Sequence, residues 1–157
     1  MNGVRIVAAE SPEQLEQLRG LLVEYAGSLS YHICFESFRQ ELAHLPGVYG
    51  PPDGRLFLAL AGAQPAGCVA LRLVEQGVGE MKRLYVRPAF RGRGLGRELS
   101  ERILSEACAL GYRAIRLDTL PSMREAQTLY RSLGFKAVDA SHSVRGEKPI
   151  DMELQLT

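Results

Sequence analysis

The sequence predicts an α/β domain: one mixed sheet with helices on both faces. Two observations point there. Strand-like runs and amphipathic helical runs interleave along the chain, and most helical runs carry their own start or stop signals. The chain is also the right size, since 157 residues at 46% hydrophobic content fit one core and leave no material for a second domain.

The elements follow in order. "VRIVAA" at 4–9 is a first strand. In "SPEQLEQLRGLLVEYAG" Ser11 is the expected N-cap, Pro12 the first helical residue, and Gln14 completes a capping box. Leu15, Leu18, Leu22 and Tyr25 share one face, and Gly27 is the expected stop. "CFESFRQELAHL" reads as a second short helix with Phe35, Phe38, Leu42 and Leu45 inward, followed by the proline- and glycine-rich loop 46–54. "RLFLALA" and "AGCVALRLV" flank "GAQP" as a hairpin, and "GVG" at 77–79 turns the chain into a third strand, "EMKRLYV". After the loop "RPAFRGRG", Leu95, Leu99, Ile103, Ala107 and Leu110 mark a helix closed by Gly111. "RAIRLDT" is a strand, and "SMREAQTLYRSLG" a helix with a Ser122–Glu125 capping box and a stop at Gly134. "FKAV" and "IDMELQL" are the last strands, giving the order β-α-α-β-β-β-α-β-α-β-β.

Charge and composition narrow the function. The net charge of +1 gives no global attraction for nucleic acid. Between Met81 and Arg97, however, six Lys or Arg residues occur with no acid, a local site suited to a small polyanion. Cys34, Cys68 and Cys108 form no CxxC, and His32, His44 and His142 fall in no ligand spacing, so neither a disulfide frame nor a metal site is expected. No apolar run approaches the ~20 residues of a membrane span, and the N-terminus lacks a signal-peptide plan. A cytoplasmic protein, monomer or homodimer, with no membrane or nucleic-acid partner is expected.

The densest chemistry lies in "RGRGLG", residues 91–96, placed just before a helix. A helix N-terminus offers unpaired N–H groups and a partial positive charge, and glycines there let an oxyanion approach the backbone. Arg91, Arg93 and Arg97 add charge-assisted donors to Gly92, Gly94, Leu95 and Gly96. The segment lacks the Gly-Lys-Ser/Thr of a P-loop, and Arg97 stands where a dinucleotide fingerprint needs its last glycine. An RNA-binding arginine–glycine segment is also a poor match, because aromatic residues do not interleave with the basic ones.

Arg91-Gly92-Arg93-Gly94-Leu95-Gly96 resembles the Q/R-x-x-G-x-G/A signature of the GNAT superfamily of N-acetyltransferases, and "AQTLYRSLGF" resembles that family's A-x-x-L-Y-x-x-x-G-F segment. The two stand in the family's order with one strand between them, and the element order matches over roughly the whole chain. The resemblance implies a mixed, mostly antiparallel sheet and acetyl-CoA as co-substrate, with no metal. Its pyrophosphate would lie on Arg91–Arg97 and its pantetheine arm along the backbone of Leu84, Tyr85 and Val86. It further implies Glu80 as general base, directly or through water, and Tyr130 as the acid that protonates the leaving thiolate. The bland alternatives are a strand-start carboxylate paired with Lys82 or Arg83, and a core aromatic. Many members carry asparagine where this chain has Met123, which puts one junction or CoA contact in doubt.

The acceptor pocket would be walled by the first two helices and their loop, with Tyr31, His32 and Tyr49 as substrate-contact candidates and the loop 139–148, including Arg145, as a lid. The expected reaction is acetyl transfer to a primary amine of a small molecule by direct attack in a ternary complex. The alternatives are acetylation of a protein N-terminus or lysine, and a non-catalytic acyl-CoA-binding regulator.

Overall fold

The computed structural model describes residues 3–28, 35–138 and 149–156. In chain order it contains β1 (Val4–Ala8), α1 (Pro12–Ser28), α2 (Phe35–Ala43), β2 (Arg55–Ala61), β3 (Gln64–Glu75), β4 (Val78–Val86), α3 (Leu95–Ala109), β5 (Ala114–Thr119), α4 (Arg124–Ser132), β6 (Lys136–Val138) and β7 (Ile150–Gln155). The predicted element order is observed. The described strands form one seven-stranded sheet, β1-β2-β3-β4-β5-β7-β6. Its neighbours are antiparallel except β4 and β5, which run parallel.

The sheet is covered on both faces, and β2 shows why its sequence lacks alternation. Leu56, Leu58 and Leu60 pack on one side with Leu18, Leu21 and Leu22 of α1 and Phe38 of α2. Phe57 and Ala59 pack on the other, with Leu95, Leu99, Ile103 and Ala107 of α3 and Tyr130 of α4. A strand apolar on both faces is a buried central strand. The period-2 switch of faces also fixes which side chains of β4 and β5 point to which helices.

Several local expectations are refined. The Ser11–Gln14 capping box forms: the Gln14 amide donates to Ser11 Oγ at 3.1 Å, and the Gln14 side chain accepts from the Ser11 amide at 3.1 Å. Helix α1 continues through Gly27 to Ser28. Its fully buried residues are Leu18, Leu21 and Leu22, with Leu15 and Tyr25 half-buried at the margin. Strand β4 starts at Val78, so "GVG" contributes only its first glycine to the turn. Helix α4 starts at Arg124 with Met123 as N-cap, so Ser122 does not cap it as a box with Glu125 would require. No helix among the described residues is long and apolar enough to cross a membrane.

One close approach ties the sheet to the site. At Gly67 a Cβ would stand 2.7 Å from the Tyr85 carbonyl oxygen, a backbone atom that cannot turn aside. Gly67→Ala is expected to destabilise the fold by about 1–3 kcal/mol through overpacking. Thermal unfolding checks this: the melting temperature should fall by several degrees, and an unchanged value would show that β3 and β4 can part there freely.

Candidate active site

The site begins with a fault in β4. Ala70 pairs with Lys82 and Cys68 with Tyr85, so two steps along β3 match three along β4. The surplus is taken up at Arg83, whose φ of 62° lies in the left-handed region. Such a conformation costs a non-glycine residue about 1–3 kcal/mol. Three contacts hold it. The Cys68 thiol donates to the Arg83 carbonyl at 3.4 Å, and the guanidinium donates to both Glu41 oxygens at 2.8 Å each. The same guanidinium lies 5.6 Å from the centre of the Phe38 ring. Burial alone would raise the Glu41 carboxyl, but the Arg83 hydrogen bonds and charge outweigh it and hold the group below the usual carboxylate range.

A bulge bends and twists its strand. The β4–β5 ladder accordingly spans only Val78↔Ala114, Gly79↔Ile115 and Glu80↔Arg116. Past those pairs the strands part around a cavity of about 960 Å³. Residues Met81 to Val86 line it from β4, Asp118 and Thr119 from β5, Tyr25 and Ser28 from α1, and Ala126, Leu129 and Tyr130 from α4. It therefore reaches from one face of the sheet to the other through the split. The β4 edge turned toward β5 lies along this space, available to a ligand with amide groups.

At one end stands the glycine loop. Gly94 is the N-cap of α3, with φ 83° and no side chain bonded over the first-turn amides. A Cβ at Gly92 or Gly94 would meet nothing within 4 Å, so the space above the loop is open. Arg91, Gly92, Gly94, Leu95, Gly96 and Arg97 line the cavity. Arg91 donates to the Val86 carbonyl at 2.8 Å, which ties the end of β4 to the loop. Arg97 donates to Ser132 and lies 3.6 Å from Glu101. Open amides, positive charge and a free strand edge fit the pyrophosphate and pantetheine of CoA.

The other expected residues are placed as follows. Leu84, Tyr85 and Val86 line the cavity, whereas Arg93 is exposed and does not. Tyr130 lines it at 8% exposure, edge-on to Phe135 with ring centres 5.9 Å apart. Burial, with the charges of Tyr25 and Asp118 adding to it, pushes its phenol above the usual tyrosine range. Glu80 is set apart: it does not line the cavity, and its carboxylate accepts from Arg72 at 2.8 Å with Lys82 at 4.0 Å. Tyr49 is also set apart, 2% exposed and hydrogen-bonded to Glu41 beneath α2. Tyr31, His32 and the loop 139–148 lie outside the described residues. Met123 lines the cavity at the α4 junction, where the Thr119 hydroxyl lies 3.5 Å from its sulfur. The sequence reading missed Tyr25, Lys82, Arg83 and Asp118 as cavity-lining residues. The consecutive polar pair Lys82-Arg83 inside an apolar strand was the available signal for the bulge.

A split sheet above an open glycine-capped helix is the arrangement of an acyl-CoA N-acyltransferase. Comparison with known proteins agrees. The model of the acetyltransferase (GNAT) family matches residues 15–135. An uncharacterized N-acetyltransferase of Schizosaccharomyces pombe is 37% identical over 140 residues, covering 88% of this chain and 86% of its own. An IAA acetyltransferase of Azospirillum brasilense is 37% identical over 134 residues, 82% of each chain. The structure of an acetyltransferase from Salmonella typhimurium with its cofactor acetyl-CoA shares the fold, with a TM-score of 0.74 at 18% identity over 99% of this chain and 95% of that one. The chain belongs to the GNAT family of acetyltransferases, and as a member it is an acetyl-CoA-dependent N-acetyltransferase.

The loop geometry yields a direct test. Gly94→Asp places a side chain at positive φ and a negative charge over the first-turn amides. It should abolish acetyl-CoA binding in a calorimetric titration, and wild-type affinity in that variant would remove the loop from the donor site.

Proposed function

We propose that the chain transfers the acetyl group of acetyl-CoA to the primary amine of a small-molecule acceptor, by direct attack in a ternary complex. The observation that carries this proposal is the continuity of the cavity: one space joins the amides of α3 to Tyr25 and Ser28 on the opposite face. Donor and acceptor then meet in the split, and no protein-bound acyl group is required. Cys68 does not suit such a role, since burial pushes its thiol up to about 12 and it is not a lining residue. The relative named an IAA acetyltransferase supports a small acceptor over a protein one.

Acetyl-CoA supplies the acetyl group as a thioester with a fair leaving group. The chain's own residues do the rest. The amides at Gly94–Arg97 with Arg91 hold the pyrophosphate, and the free edge of β4 aligns the pantetheine arm. A backbone N–H at Leu84 or Tyr85 polarises the acyl oxygen. Tyr130, whose raised phenol keeps its proton through neutral and mildly basic pH, delivers that proton to the departing sulfur. The acceptor needs the reverse service, because an alkyl amine is mostly protonated near pH 7. Among the described residues of β4 and β5, Asp118 lines the cavity while Glu80 is held by Arg72 beside Lys82. Asp118 is the direct proton acceptor in this proposal, and Glu80 reaches the amine only through water.

Two measurements test these roles. Tyr130→Phe should lower kcat about tenfold or more with acetyl-CoA affinity unchanged. Unaltered turnover across several pH values would return Tyr130 to a packing role. Asp118→Asn should lower kcat/KM about 100-fold near neutral pH, recovering as rising pH frees the amine unaided. The matching loss from Glu80→Gln should be smaller, and the opposite ranking would move the proton to Glu80 through water.

A further inference from the structure

We propose that Glu41 on α2 is a positioning residue for acetyl-CoA: it does not line the cavity, yet it fixes the conformation of Arg83 and so the direction of the β4 amides that the pantetheine arm meets. This inference rests on the donor placement proposed above and names a residue that serves it.

The bulge has two separable parts. Its presence is set by the cores. Met81 belongs to the core under α3 and Tyr85 to the core under α1. Strict alternation would put residues at those two positions on one face. Packing on both sides therefore requires an extra residue between them. Which residue takes the left-handed turn is a separate matter. Among the described residues Arg83 is the one non-glycine with positive φ, at 62°. Nothing in the intrinsic preference of an arginine favours that conformation, so a contact must select it.

The contact comes from α2. The Arg83 guanidinium donates to both Glu41 oxygens at 2.8 Å each, and the two side chains are only 15% and 19% exposed. A bidentate pair of this kind fixes direction as well as distance. Glu41 is itself held, since Tyr49 hydrogen-bonds to it and the charge of Lys82 also bears on it. Helix α2 has further anchors independent of the pair. Phe38 and Leu42 pack against the core under α1, and Arg19 donates to the Leu42 carbonyl at 2.8 Å.

The effect reaches the cavity through one peptide plane. The Cys68 thiol donates to the Arg83 carbonyl at 3.4 Å. The Leu84 N–H shares that planar trans peptide, so it points away from Cys68. Leu84 lines the cavity, whereas Glu41 and Cys68 do not. Releasing Arg83 from Glu41 frees this peptide to turn, and the Leu84 N–H turns with it.

The test compares acetyl-CoA with 3′-phospho-ADP, which is CoA without its pantetheine arm, both by calorimetry. Glu41→Gln should weaken acetyl-CoA binding about tenfold and leave the nucleotide unchanged. Arg83→Ala and Arg83→Gly lose the ion pair alike, but only glycine accepts the left-handed φ freely. Arg83→Ala should therefore match Glu41→Gln, and Arg83→Gly should bind acetyl-CoA about fivefold or more tightly than Arg83→Ala. Adding Glu41→Gln to Arg83→Gly should cause no further loss. The two Arg83 variants decide the matter even where Glu41→Gln fails to fold. Equal acetyl-CoA affinity in those two variants, or wild-type affinity in both Glu41→Gln and Arg83→Ala, overturns the proposal. A loss restored by glycine but shared equally by the nucleotide would support the positioning role and overturn the placement of the pantetheine arm on β4 instead.

Discussion

The extra residue in β4 is the constraint on which the site depends. Without it, a parallel β4–β5 ladder continued in register would bring Lys82 beside Asp118 and close the split that the cavity now occupies. The left-handed φ at Arg83 is unfavourable by itself. It persists because three neighbours specify it: the Cys68 thiol on the carbonyl, the Glu41 carboxylate on the guanidinium, and the Phe38 ring beneath it. Two of those neighbours come from α2, so the contact that stabilises the bulge also seats the helix that flanks it on the α1 face.

The two halves of the site use different physics. At one end the cavity presents mostly backbone: the start of α3, capped by Gly94, and the edge of β4. Such groups recognise a phosphate and an amide chain whatever the surrounding side chains are, provided that glycine keeps the approach clear. At the other end it presents side chains, where Tyr25, Lys82, Tyr85 and Asp118 gather from three elements. Tyr25 meets Tyr85 edge-on at 5.9 Å, and the Tyr85 hydroxyl donates to Glu24 at 3.4 Å, so the aromatic wall is fixed from α1.

That division also explains what could be read from the sequence. The order of elements was legible because hydrophobic period, caps and glycine stops are local signals, and the Ser11–Gln14 box formed as written. The glycine-capped start of α3 was legible because it is itself a local signal. Ser122 and Glu125 have the spacing of a capping box, yet α4 starts one residue later, at the junction where Met123 meets Thr119. The side chains lining the β4–β5 split were much less legible. Glu80 and Tyr49 are separated from the cavity by partners 8 residues away in one case and in another helix in the other: Arg72 across the β3–β4 ladder, and Glu41 on α2. No spacing within the strand announces those partners. Asp118 sits in a strand with an ordinary alternating pattern, and its importance appears only when the neighbouring strand diverges.

The divergence has an electrostatic consequence. Opposite charges in contact at a protein surface stabilise little, about 0–1 kcal/mol, and such a pair across a closed ladder would do no more here. Separated across the cleft, the exposed Asp118 and the half-buried Lys82 both border the cavity without closing it. The strain at Arg83 therefore exchanges a minor stabilising contact for two oriented charges facing a cavity. The Tyr130 hydroxyl, raised by burial and by the nearby charge of Asp118, belongs to the same space. The Asp118 carboxylate on β5 thus acts on a phenol held by α4, and helps to keep it protonated.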